Sequence, residues 1–305
     1  MKNSFSAMAR REAAAGYLLV APAILLFLLI GLFTVLFSIG LSFYHLGQGS
    51  LITSAKFAGL DNFQNFLFGR DLNLSRAFKQ ALVNNLWVLL STLVVIPIAL
   101  AIAVMLQRIS KGIRLYRTVF LLPMVTSSVA IYYVWQGIYE PEGTLNKLLA
   151  AIGLDSLIAV NGWLGELHTA LPALIVTVIW GSVPGMMILY FAGLQTVDPH
   201  LYEAAEMDGA GAWQKIYRIT WPILRPITVI CLIMGMNGAL QIFDPVWIMT
   251  KGGPANATEV VNVLVYQQAF VNGDMGVANA MGWSIFVLTF VLSLISLRIL
   301  RDKSE

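Results

Sequence analysis

The sequence predicts an all-α, polytopic membrane protein: six transmembrane helices and a cytoplasmic helix-turn-helix, in one domain spanning residues 1–305. Three observations carry that expectation. First, 58% of the 305 residues are hydrophobic and 11% are charged, with a mean hydropathy of +0.77, far from the balance of a soluble globular domain. Second, the chain holds six apolar runs, each near the roughly 20 residues that cross a hydrocarbon core. Third, the Lys and Arg residues fall between those runs instead of forming a dense basic block. They read as topology signals, so the net charge of +3 implies no nucleic-acid partner.

In chain order, Lys2, Arg10 and Arg11 precede a first span at about 17–43. That run exceeds a signal-peptide core of about 7–15 residues, and no clear cleavage site follows it, so an uncleaved span is expected. Pro22 sits in its first turns, where a missing N–H costs least. Residues 44–80 are polar, with Gly47, Gly49, Ser50, Lys56, Asp61, Asn62, Asp71 and Asn73. The aromatics Phe57, Phe63, Phe66 and Phe68 predict a folded loop against the membrane surface. The second span, about 86–106, meets the basic cluster Arg108, Lys111, Arg114 and Arg117.

The third span, about 119–138, contains Pro123 and ends in Tyr132, Tyr133, Trp135 and Gln136. After it, Leu145, Leu148 and Leu149 would form one face of a short surface helix. The fourth span, about 171–194, carries Trp180, Gly181, Ser182, Pro184 and Gly185; such interruptions persist in a membrane only where protein or a cavity re-satisfies the backbone. The fifth runs over about 227–248 and is followed by Thr250 to Thr258 and a half-apolar segment reaching Phe270. The sixth, about 278–297, ends beside Arg298, Arg301 and Lys303. Cys231 lies alone in an apolar run and reads as a small buried hydrophobe, with no metal-ligand spacing nearby.

Six spans put both termini on one side. With that side inside, 13 basic residues face the cytoplasm and 6 face out, namely Lys56, Arg70, Arg76, Lys79, Lys147 and Lys251. The bias sets the orientation and places residues 198–222 in the cytoplasm. There, Asp198 before Pro199 is a helix start, and Asp208-Gly209-Ala210-Gly211 supplies a turn. A second helix is expected from Ala212 until Pro222 disturbs it. Leu201, Ala204 and Ala205 share one face of the first helix, while Trp213, Ile216 and Tyr217 share one face of the second.

These residues carry a resemblance. Glu203-Ala204-Ala205, three residues, Gly209, nine residues, then Ile219-Thr220-Trp221-Pro222 is similar to the cytoplasmic loop of permease subunits in ABC importers, with Trp221 where leucine is usual. The run from Tyr202 to Trp213 resembles the carbohydrate-uptake branch, the relatives of maltose and glycerol-3-phosphate permeases, although Ile216 stands where that branch often has phenylalanine. Phe57 to Phe63, the Asn84-Asn85 pair and Met249 to Pro254 agree, and the loops after the first and fifth spans look like the F-like half of maltose permeases.

The resemblance implies a bacterial or archaeal plasma (inner) membrane protein that forms half of a translocation pore with a second, homologous permease. Two cytoplasmic ABC ATPase subunits and an extracytoplasmic solute-binding protein complete the assembly, and the cargo is a carbohydrate or related polyol. This chain has no G-x-x-x-x-G-K-[ST] phosphate loop, so ATP and Mg would be held by the partner ATPases. The coupling set implied is Glu203, Ala204, Ala205, Asp208, Gly209, Ile216, Ile219 and Pro222: Glu203 for a polar or ionic contact, the alanines for close approach, Gly209 for the turn. A sugar path needs groups that bond hydroxyls or stack on sugar faces. The candidates are Tyr132, Tyr133, Gln136, Trp180, Ser182, Gly185, Asn237, Gln241 and Asp244. Bland roles compete with each: Asn237 and Gln241 as interhelical bonds, aromatics as interface belt, and Asp244 as a solvated outer-end residue.

The competing class is an ion- or proton-coupled secondary carrier, which usually needs ionisable residues at the membrane midplane. The span centres carry none. His45, His168 and His200 fall outside the spans and far apart, so no catalytic triad or enzyme is expected.

Overall fold

The computed structural model describes residues 2–47, 55–109 and 112–301; Gly49, Ser50, Lys111 and Lys303 lie outside the described residues. Helix α1 (Lys2–Leu26), a π-helical stretch (Phe27–Leu32) and α2 (Phe33–Leu41) form the first span, Glu12–Leu41. None of its residues is buried by the rest of the chain. It begins ahead of the expected Tyr17, because Ala-rich sequence continues the helix there. The expected surface loop is a miniature fold. Strands β1 (Tyr44–His45) and β2 (Lys56–Phe57) pair antiparallel, and α3 (Asp61–Leu67) follows. Its aromatics divide: Phe66 is fully buried, while Phe57 and Phe68 are exposed.

Helix α4 (Leu72–Arg108) starts well before the expected residue 86. Asp71 caps it, its carboxylate accepting from the Asn73 and Leu74 amides at 3.0 and 3.1 Å. Phe78 then packs on Phe66 with ring centroids 4.6 Å apart, so the added turns stand on a core of their own.

The expected third span is not one straight helix. Helices α5 (Ile113–Val125) and α6 (Ser128–Tyr139) meet at a break of 105°. Thr126 and Ser127 are extended there, and the Thr126 hydroxyl donates to the Leu122 carbonyl at 2.8 Å; such hydroxyl residues offer the backbone a local alternative to helix. Helix α7 (Thr144–Ala151) occupies the expected surface position, but Leu148 points out and Asn146 points in. The Asn146 amide donates to the Pro141 and Ala159 carbonyls, and its oxygen accepts from the Trp163 indole at 2.8 Å.

Helix α8 (Ala170–Leu194) passes Gly181, Pro184 and Gly185 without interruption. Helices α9 (Pro199–Met207) and α10 (Ala212–Lys215) make the helix-turn-helix. Pro222 does not end the second helix: a π-helical turn (Ile216–Thr220) runs on without a break into α11 (Trp221–Ile223), which contains it. The fifth span is also broken. Helix α12 (Arg225–Leu240) stops, Gln241 to Phe243 are non-helical, and α13 (Asp244–Met249) resumes. Pro245 lies in the first turn of α13, where its missing N–H has no helical partner to lose and its fixed φ favours the restart. Helix α14 (Val261–Tyr266) runs through a π turn (Gln267–Val271), and α15 (Met275–Arg301) forms the last span.

Among the described residues, five helices are long and apolar enough to cross a membrane, or six when α5 and α6 count as one bent span. Helix α4 packs along α8 and α12. One core joins Leu100, Ala103, Met187, Tyr190, Leu194 and Cys231, and a second joins Phe66, Phe78, Met236, Val261 and Met281.

Candidate functional site

Helices α4, α5, α6, α8, α12 and α13 enclose a cavity of about 560 Å³, within the about 300–1,000 Å³ span of small-molecule sites. Both helix breaks open onto it. Met124 and Ser128 flank the α5–α6 break, and Gln241 to Phe243 form the α12–α13 break, with Asp244 and Pro245 just past it. This is where non-helical backbone is tolerated in a membrane protein. Ser91 and Thr92 of α4 and Thr177 and Ser182 of α8 supply hydroxyls, Tyr132 and Trp180 supply rings, and Asp244 is the one charged lining residue among the described residues. Trp180 is held edge-on by Trp135 at 5.7 Å, which in turn packs on Tyr139.

Of the sugar-path candidates, Tyr132, Trp180, Ser182, Gly185, Gln241 and Asp244 line this cavity. Tyr133 is exposed on the outer side of α6. Gln136 turns to α13, its amide donating to the Ile248 and Met249 carbonyls, both at 3.0 Å. Asn237 donates to the Ile233 carbonyl of its own helix at 3.1 Å. Sequence reasoning missed Ser91, Thr92 and Ser128. The signal available for the first two was a hydroxyl pair inside an otherwise apolar run.

The Asn84-Asn85 pair has a visible job. Asn85 is fully buried and donates to the Ala239 carbonyl at 2.8 Å, while its oxygen accepts from the Val261 amide at 3.0 Å. It therefore caps the end of α12 and the start of α14 at once. Asn84 donates to the Glu259 carbonyl at 2.7 Å. The Glu259 side chain is itself buried, and burial pushes its carboxyl up to about 7, the Gln267 amide pulling the other way.

The helix-turn-helix lies at the opposite end from that loop, beside the last turns of α4 and α8. Asp198 caps α9 through the His200 amide at 2.9 Å. Gly209 takes a left-handed φ of +77°, which most residues with a Cβ adopt only with strain. The Lys215 ammonium pairs with Glu206, and the Tyr202 and Thr220 hydroxyls meet at 3.0 Å, so the two helices are tied as a unit. The outer face is apolar and bare: Met207 is 89% exposed, Trp213 82% and Tyr217 76%. Glu203 is exposed beside His200. Ala204 and Asp208 are exposed too, whereas Ala205, Ile216 and Ile219 are partly covered.

Residues 95–302 match the family of binding-protein-dependent transport system inner membrane components. The chain belongs to that family. This permease is 34% identical to the probable ABC transporter permease protein YurN of Bacillus subtilis (strain 168), over 95% of its own length and 97% of YurN. It is 29% identical to the trehalose/maltose transport system permease protein MalF of Thermococcus litoralis, over 99% of both chains. A solved bacterial alginate ABC transporter, in complex with an alginate pentasaccharide-bound periplasmic protein, contains a chain that superposes with a TM-score of 0.81 at 25% identity, covering 98% of each. As a member of this family the protein is a transport component of the inner membrane and not an enzyme.

Proposed function

We propose that this permease forms half of the pore of an ATP-driven carbohydrate importer and receives its driving force through residues 198–222. The observation that carries the coupling reading is the helix-turn-helix itself, internally tied yet presenting Met207, Trp213 and Tyr217 to solvent. Apolar patches of this kind on a polar segment mark protein–protein contacts. Two cytoplasmic ATPase subunits are the partners, one of which receives this loop. Glu203 offers it a carboxylate, Ala204 and Ala205 permit close approach, Asp208 and Gly209 shape the turn, Ile216 and Ile219 seat the second helix, and Pro222 lies in its last turn.

The cavity suits a carbohydrate. Trp180 provides a flat apolar surface, and Ser182, Gln241 and Asp244 provide bonding partners for hydroxyls. The MalF relative carries trehalose or maltose in its description and the superposing transporter alginate, which supports the same cargo class here. A second, homologous permease closes the other half of the pore, an extracytoplasmic binding protein delivers the cargo, and both termini lie in the cytoplasm, as the basic-residue bias requires. An ion-coupled carrier leaves both the family membership and the exposed loop without a purpose.

The test is Glu203→Lys in the complete transporter. Uptake into vesicles with trapped ATP is expected to vanish while the amount of permease in the membrane stays normal. Undiminished uptake by this variant would remove the coupling role.

A further inference from the structure

The short helix α13 is joined to the rest of the chain in an unusual way. On its N-terminal side lies the non-helical link Gln241 to Phe243, with Phe243 at φ −143°, ψ −62°. It packs against α6, which follows a second non-helical link at Thr126 and Ser127. At each link the ladder is interrupted between residues bonded to opposite sides. The Thr126 amide donates to the Leu122 carbonyl while the Ser127 carbonyl accepts from Ile131, and the Gln241 amide donates to the Asn237 carbonyl while the Phe243 carbonyl accepts from Trp247. Each helix can therefore pivot between the two with these bonds kept. Together they cover one end of the cavity: Ser128, Ile131 and Tyr132 come from α6, Asp244 and Pro245 from α13.

The Tyr139 hydroxyl anchors the far end of α6 to the Ala173 carbonyl of α8 at 2.9 Å, and two side-chain amides hold the rest of this cover, in different ways. Asn85, fully buried, bonds the Ala239 carbonyl, the Leu240 carbonyl at 3.4 Å and the Val261 amide. It bolts the base of the hinge to α4. Gln136, only partly buried, reaches from α6 to the two final carbonyls of α13, Ile248 and Met249. Those carbonyls lack helical partners and will accept from water if the cover lifts, so parting them costs little.

We infer that α6 and α13 form the outer gate of the cavity and that Gln136 is the latch between them, a positioning residue that sets how often the gate is open. The inference rests on the importer reading above. A latch of two ordinary hydrogen bonds biases such an equilibrium by about tenfold.

The experiment uses the assembled transporter in spheroplasts. The chain has one cysteine, so Cys231→Ala followed by Ser182→Cys leaves a single thiol in the cavity. Its labelling by a membrane-impermeant maleimide is timed from outside, with and without ATP trapped by vanadate. Gln136→Leu and Gln136→Glu, which cannot donate, are expected to raise the resting rate about tenfold, with Gln136→Lys, a donor, near the parent. All three should assemble in normal amounts.

Labelling of Gln136→Leu at the parent rate overturns the latch, as does a reduced amount of complex whose remainder labels at the parent rate, the mark of a purely structural cap. The importer reading fails separately: in that case vanadate-trapped ATP leaves the parent's own labelling rate unmoved.

Discussion

At the scale of single residues, the polar groups buried in this apolar chain account for most of its exactness. Asn85 joins three elements because its amide both donates and accepts. Glu259 is the costly exception: one carboxyl oxygen has no hydrogen-bond partner, and burial raises its carboxyl to about 7. The folded form thus favours the protonated acid. The resulting stability is fully present below the unfolded carboxyl range and is lost as pH rises toward 7, when the unfolded chain ionises first. The effect is at most on the order of 3 kcal/mol. Glu259→Gln should therefore melt at nearly the same temperature at pH 5 and pH 8 in detergent, whereas the parent melts lower at pH 8. Equal pH dependence of the two would show that this carboxyl is ionised in place.

At the scale of elements, close helix packing depends on a few small residues. A Cβ on Gly235 would lie 2.2 Å from the Thr92 methyl and 2.9 Å from its hydroxyl, and a β-branched side chain has little freedom to move aside. Helices α4 and α12 touch here beside the cavity. Gly235→Val is expected to destabilise the permease by about 1–3 kcal/mol, read as a lower melting temperature, and Thr92→Ala in the same chain should recover most of the loss. No recovery would mean the helices are not in contact at this point. The breaks between α5 and α6 and between α12 and α13 belong to the same scale. The residues that mark them, Thr126-Ser127 and Pro245, stand in the sequence, but hydropathy averaged over a span conceals them.

At the scale of the whole molecule, much apolar surface is left open. The first span buries none of its residues within the chain, and Trp213 and Tyr217 stand in solvent. The open face of the first span suits lipid, while Trp213 and Tyr217 suit the ATPase contact proposed above. Reconstituted with its partners, the permease is expected to accumulate carbohydrate when ATP is trapped inside the vesicles and to show no uptake from an imposed proton or sodium gradient alone. Uptake driven by the gradient would return the chain to the secondary carriers.

The sequence by itself determined the membrane class and the family, because composition, run length and the pattern from Glu203 to Pro222 are local properties. It located Trp180, Ser182, Gln241 and Asp244 for the same reason, as polar or aromatic residues conspicuous inside apolar runs. Only the tertiary structure decided that Gln136 faces α13 and Asn237 its own helix, that Ser91 and Thr92 reach the cavity, and that two spans are broken where they meet it. Those outcomes turn on which faces of separate helices come together. Gln136 bonds carbonyls 112 and 113 residues away, and no period in the sequence records a contact of that range.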